Sequence, residues 1–123
     1  PRVHLIDPLP ADEMHNLMDR CYLVLTDSGG LQEEAPALGN PVLVHRRAPA
    51  RPEAVAAGTV KLAGVVQDDI ITMASRLIQD KRAYHEMAHS VNPYGDGNAC
   101  RRIADAIEWR YGLRKDRPAG YEA

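Results

Sequence analysis

The chain has 123 residues, 45% of them hydrophobic and 26% charged, which gives room for one compact domain with its own core and not for two. Its 15 basic and 17 acidic side chains leave a formal net charge of -2, which excludes a global basic field for nucleic acid or an anionic membrane, so any anion must be met locally. Cys21 and Cys100 are too few and too isolated for a disulfide framework or a zinc cluster, and read as small buried hydrophobes in a reducing cytoplasm.

The opening run Pro1-Arg2-Val3-His4-Leu5-Ile6 lacks the pattern of a signal peptide, and no apolar run approaches the roughly 20 residues that span a bilayer. A soluble protein is expected. The chain starts directly in a strand-like segment without an initiator Met, which reads as the middle of a longer polypeptide. Val3 to Ile6 is expected to be a strand closed by Asp7-Pro8, because proline biases its predecessor away from helix. From Ala11 to Arg20, Met14, Leu17 and Met18 recur at helical spacing behind Asp12 and Glu13, which suit a helix start. Tyr22 to Thr26 is a continuous apolar run of the kind found in a central parallel strand covered on both faces.

After Asp27-Ser28-Gly29-Gly30 a helix is expected from Leu31 to Leu38, shortened or kinked by Pro36 and stopped by Gly39-Asn40. Pro41 to Val44 reads as the next buried strand. His45 to Pro52 is a loop, Glu53 to Ala57 a short helix ended by Gly58, and Thr59 to Leu62 a strand. Asp68 is expected to cap a helix with Ile70, Ile71, Ala74, Leu77 and Ile78 on its inner side, followed by a shorter helix from Arg82 to His89. Asn92 to Gly97 is too rich in turn formers for regular structure, Ala99 to Tyr111 is helical, and the polar remainder is expected to fray. Strands alternating with helices predict an α/β fold: a Rossmann-like open parallel sheet with helices on both faces and right-handed crossovers.

Asp27-Ser28-Gly29-Gly30 stands where a buried strand gives way to a helix, at the sheet edge where open α/β folds bind ligands. Two glycines leave no Cβ in the way of a diphosphate, and the Ser28 hydroxyl can add a donor. The other reading is a plain turn in which Ser28 caps the helix. Glu33 and Glu34 both gain from the helix start. Glu34, a turn beyond Gly30, is also placed to accept ribose hydroxyls. Arg46, Arg47 and Arg51 form a basic cluster in a loop at the same edge, with guanidinium forks suited to phosphate or simply solvated charges. No metal site is expected, since His85 and His89 lack a third ligand, and no catalytic triad can be assembled.

These residues, in this order, resemble the C-terminal domain of bacterial non-hydrolysing UDP-N-acetylglucosamine 2-epimerases. The resemblance runs through Val3 to Pro8, Leu25 to Pro36, Gly39 to Val44, Arg51 to Val55, Ala57 to Val60 and Asn92 to Gly97. It implies the C-terminal half of a GT-B fold, with a UDP-binding domain over residues 1–111 and a polar tail over 112–123. It implies that Ser28, Gly29 and Gly30 hold the diphosphate of a UDP-sugar, that Glu34 binds the ribose, that Arg46 contacts the nucleotide and that the helix around Met14 lies near the uracil.

The implied reaction is anti elimination of UDP to a 2-acetamidoglucal and re-addition on the other face, interconverting UDP-N-acetylglucosamine and UDP-N-acetylmannosamine without cofactor or metal. The acids and bases for the C2 proton are implied to lie outside this chain, which leaves it no catalytic residue of its own. An N-terminal domain is the implied partner, in a cytoplasmic enzyme expected to be a homodimer. A stand-alone nucleotide-sugar-binding module, an interaction domain that lost its ligand and a glycosyltransferase domain are the alternatives. Two departures stand out. Met14 replaces the family's usual phenylalanine beside the base, and Arg47-Ala48-Pro49-Ala50 replaces Asp-Thr-Thr-Glu in a cleft loop.

Overall fold

A computed structural model describes residues 2–121. The elements run α1 (Ala11–Arg20), β1 (Val24–Thr26), α2 (Leu31–Ala37), β2 (Val42–Val44), α3 (Pro52–Ala57), β3 (Val60–Leu62), α4 (Gln67–Gln79), α5 (Lys81–Ala88) and α6 (Ala99–Arg110). The strands form a parallel sheet in the order β1-β2-β3, with Val24 opposite Val42 and Val42 opposite Val60.

Side chains alternate across a strand, so β2 faces two cores at once. Val42 and Val44 join Met18, Ala35, Ala54 and Val60 on the face covered by α1, α2 and α3, whereas Leu43 joins Ala63, Leu77, Ala83 and Met87 beneath α4 and α5. All three β2 residues are fully buried, each contributing about 1.5–3 kcal/mol of apolar burial. The Rossmann-like parallel sheet with helices on both faces is therefore as expected.

Helix ends explain the tight turns that carry the chain back to each strand. Gly39 (φ 76°) and Gly58 (φ 83°) take the left-handed conformation just past α2 and α3, where a Cβ would be strained. Pro36 has no N–H to continue α2, which stops after seven residues, and the buried Asn40 amide then donates to the Met18 carbonyl at the end of α1.

Several expectations are corrected. Val3 to Ile6 is not a strand: no strand among the described residues pairs with it, and Val3, Leu5 and Ile6 stand exposed. β1 lies at an edge of the described sheet rather than its centre, with Leu25 43% exposed, so the central position belongs to β2. Asp68 sits in the first turn of α4, where Val66 occupies the N-cap, and Ile71 and Ile78 point to solvent while Leu77 is buried. A side-chain cap does occur at α5, where Asp80 accepts hydrogen bonds from the Arg82 and Ala83 amides.

α6 forms where periodicity placed it, but Ile103 and Ile107 remain more than half exposed. The tail returns across α6 instead of fraying. Arg114 pairs with Asp105 at 2.7 Å, Arg117 and Arg102 lie 5.5 Å from the Trp109 and Tyr121 ring centres, and the Tyr121 hydroxyl donates to the Asn92 carbonyl. The last two residues of the expected tail lie outside the described ones. No described helix is long and apolar enough to cross a membrane.

Candidate functional site

β1 delivers Asp27-Ser28-Gly29-Gly30 to the carboxyl edge of the sheet, and α2 begins at once. The turn is shaped from behind by buried polar groups. The Thr26 hydroxyl accepts from the Ser28 amide at 3.0 Å, and the fully buried Gln32 donates its side-chain amide to the Ser28 carbonyl at 2.9 Å. Arg46 donates through Nε to the Asp27 carbonyl at 2.7 Å, which ties the loop after β2 to the end of β1. With both neighbouring carbonyls engaged, the turn has little freedom to rearrange.

Neither glycine is needed for its backbone conformation. Gly29 and Gly30 are absent from the positive-φ residues, and Gly30 is helical at φ -65° and ψ -48°, open to any amino acid. What glycine supplies is space. A methyl group on Gly30 would project between Glu34 Oε1 at 3.6 Å and Ser28 Oγ at 3.8 Å, and one on Gly29 would approach Arg51 Nη2 at 4.0 Å. The capped-turn alternative is not realised, because no side chain caps α2. The Ser28 hydroxyl therefore sits beside the exposed Gly30 rather than closing the helix start.

The two ends of the turn differ in charge. At the Gly30 end stands the Glu34 carboxylate, whose Oε2 pairs with His15 Nε2 at 3.0 Å across α1 and α2. Met14, next to His15 on α1, packs partly into the core cluster, so only part of its thioether faces outward. At the Gly29 end stands the Arg51 guanidinium. It is ion-paired through Nε to Glu33 and bonded through Nη1 to the Ala50 carbonyl at 3.2 Å. The Glu33 hydrogen bond and charge hold Arg51 still more firmly protonated.

Tyr94, from the turn-rich loop, packs against the same core, and its hydroxyl is buried without a hydrogen-bond partner. Burial first, then the negative charges of Glu53 and Glu33, push its pKa up to about 12, with Arg51 opposing. Among the described residues no group of three or more His, Cys, Asp or Glu could hold a metal ion.

The structure thus gathers Ser28, Gly29, Gly30 and Glu34 at one turn, with Met14 one position from the His15 that reaches Glu34. Arg46 lies behind the turn, joined to its backbone, and with Arg47 lines a separate groove of about 370 Å³ towards α4. The arginine beside the glycines is Arg51, whereas the resemblance pointed to Arg46. The one available signal was Pro52, which holds Arg51 out of helix at φ -134° just before α3. His15 carried no signal at all, being one exposed polar residue among several on α1.

A parallel α/β sheet with an open, hydroxyl- and carboxylate-flanked glycine turn at its carboxyl edge defines a Rossmann-like domain. The chain matches the family model described as UDP-N-acetylglucosamine 2-epimerase over residues 1–108, and it belongs to that family. It is 49% identical to the UDP-N-acetylglucosamine 2-epimerase of Bacillus subtilis (strain 168), over 98% of this chain and 32% of that protein.

A crystal structure of a UDP-N-acetylglucosamine 2-epimerase superimposes with a TM-score of 0.95 at 48% identity, covering 99% of this chain and 33% of the other. The S. aureus MnaA-UDP co-structure does so with a TM-score of 0.90 at 44% identity, covering 98% and 33%. The chain therefore spans about a third of the length of these relatives, and its fold is that of the C-terminal part of their GT-B architecture.

Proposed function

We propose that this chain supplies the UDP-binding half of a UDP-N-acetylglucosamine 2-epimerase, with the diphosphate over Ser28, Gly29 and Gly30. The observation that carries the reading is the emptiness at Gly30: a helical backbone that any residue could adopt, left bare between a hydroxyl and a carboxylate. Gly30 is the N-cap of α2, a place where glycine is already favoured over alanine, so what points to a ligand is the open space that its missing Cβ leaves beside Ser28 and Glu34.

The charge asymmetry orients the ligand. Glu34 accepts the ribose hydroxyls at the Gly30 end, which sets the uracil towards Met14 on α1. Arg51 meets phosphate oxygens at the Gly29 end, and Arg46 holds the turn from behind through the Asp27 carbonyl. In an elimination and re-addition, UDP is first the leaving group and then the nucleophile. A site that fixes the diphosphate through backbone amides, Ser28 and arginine stabilises the charge that develops when the anomeric C–O bond breaks. It also keeps UDP in place to re-form the C1–O bond from the face it left, while C2 takes its proton back on the face opposite the one that lost it. The C2 proton is handled by residues beyond this chain, and the working enzyme is a cytoplasmic homodimer in which an N-terminal domain closes the cleft.

Calorimetric titration of the chain with UDP tests this. Wild type is expected to bind, Gly30→Asp to lose binding with its circular dichroism unchanged, and Glu34→Ala to weaken it by about 1–3 kcal/mol, the range for hydrogen bonds to a charged group. A folded wild type with no affinity for UDP, or a Gly30→Asp protein that binds as well as wild type, sinks the assignment.

A further inference from the structure

Arg51 owes its position to a residue that the nucleotide reading leaves without a task. Pro52 begins α3 and keeps Arg51 out of helix, but an arginine side chain there still has four rotatable bonds to settle. Two contacts settle them. Glu33, in the first turn of α2, accepts from Nε, and the Ala50 carbonyl accepts from Nη1. The nitrogen left over, Nη2, is the one that lies 4.0 Å from a methyl built on Gly29. Glu33, Glu53 and the buried, unpartnered Tyr94 hydroxyl all lie near enough to act on this guanidinium.

We propose that Glu33 is a positioning residue: it clamps the Arg51 guanidinium so that Nη2 is presented, already ordered, to the phosphate over Gly29. The proposal rests on the nucleotide reading above and deepens it. It also runs against simple charge counting. A carboxylate beside a phosphate site repels the ligand, so removing Glu33 should tighten binding if charge alone mattered. Pre-organisation has the opposite sign, because an unclamped arginine must be ordered at the expense of binding. The sign of the effect therefore decides between them.

The test titrates the chain with UDP and separately with uridine, in wild type, Glu33→Ala, Glu33→Gln, Arg51→Ala and the Glu33→Ala/Arg51→Ala double variant. Glu33→Ala is expected to weaken UDP binding about tenfold and leave uridine binding unchanged, since only the phosphate end depends on Arg51. Glu33→Gln, which keeps an acceptor of the same reach, is expected to recover most of the loss. In the Arg51→Ala background Glu33→Ala is expected to have no further effect, the signature of two residues acting as one unit.

Equal or tighter UDP binding by Glu33→Ala overturns the proposal, and so does an equal loss for uridine, which marks general damage to the fold. Should Glu33→Ala not fold, failure of the folded Glu33→Gln protein to outbind Arg51→Ala overturns it as well. Wild type that does not bind UDP overturns the nucleotide reading and this inference together, whereas wild-type binding with an unaffected Glu33→Ala overturns this inference alone.

Discussion

Tyr94 shows how a residue outside the glycine turn is conditioned by it. Its phenol is neutral in the fold because burial and the charges of Glu53 and Glu33 disfavour the phenolate, raising the pKa to about 12 against an ordinary value near 10. A raised value means that the stability linked to this group is fully present below the unfolded pKa. It is lost as pH rises from about 10 to about 12, where the unfolded chain releases the proton and the folded one retains it. Denaturant unfolding followed across that window should show stability falling with pH, and Tyr94→Phe should remove this part of the slope. An unchanged slope in Tyr94→Phe would place the alkaline sensitivity elsewhere.

At this scale the sequence was informative where a residue's position in the chain determines its place in space. Ser28, Gly29 and Gly30 follow a buried strand and so arrive at the sheet edge. Arg46 and Arg51 share one loop, and which of them turns to the glycines depends on Glu33, from another element.

Among the elements, β2 bears most of the packing. Leu43 is fully buried between β2 and the α4–α5 layer, so Leu43→Ala is expected to cost about 2–5 kcal/mol in urea unfolding. Leu25→Ala, on the half-open β1, should cost much less. Equal losses would mean that β1 is as enclosed as β2. The difference was not legible beforehand, because Tyr22 to Thr26 and Pro41 to Val44 are equally apolar and differ only in how many neighbours the topology gives them. The same reason explains Val3 to Ile6: composition can nominate a strand, but a strand exists only beside a partner. Helix boundaries fared better, since Gly39, Gly58 and Pro36 act through their own backbones and need no tertiary context.

For the whole molecule, alternation of strands and helices was enough to give a parallel sheet covered on both faces, because few topologies satisfy that order. What it could not give was the standing of α6. Its periodic face, with Ile103 and Ile107, meets only part of what periodicity promised, and a groove of about 530 Å³ separates it from the returning tail.

The register itself has a kinetic meaning. Val24, Val42 and Val60 stand opposite one another at equal intervals along the chain, so the two crossovers close loops of the same modest length. Closure entropy rises only with the logarithm of loop length, so neither crossover is penalised over the other, and both close within the stretch from Val24 to Leu62. Refolding is accordingly expected to order the segment from Val24 to Leu62 before α6 docks. In pulsed hydrogen exchange the β2 amides should gain protection earlier than those of α6, and simultaneous protection would argue for a single concerted step.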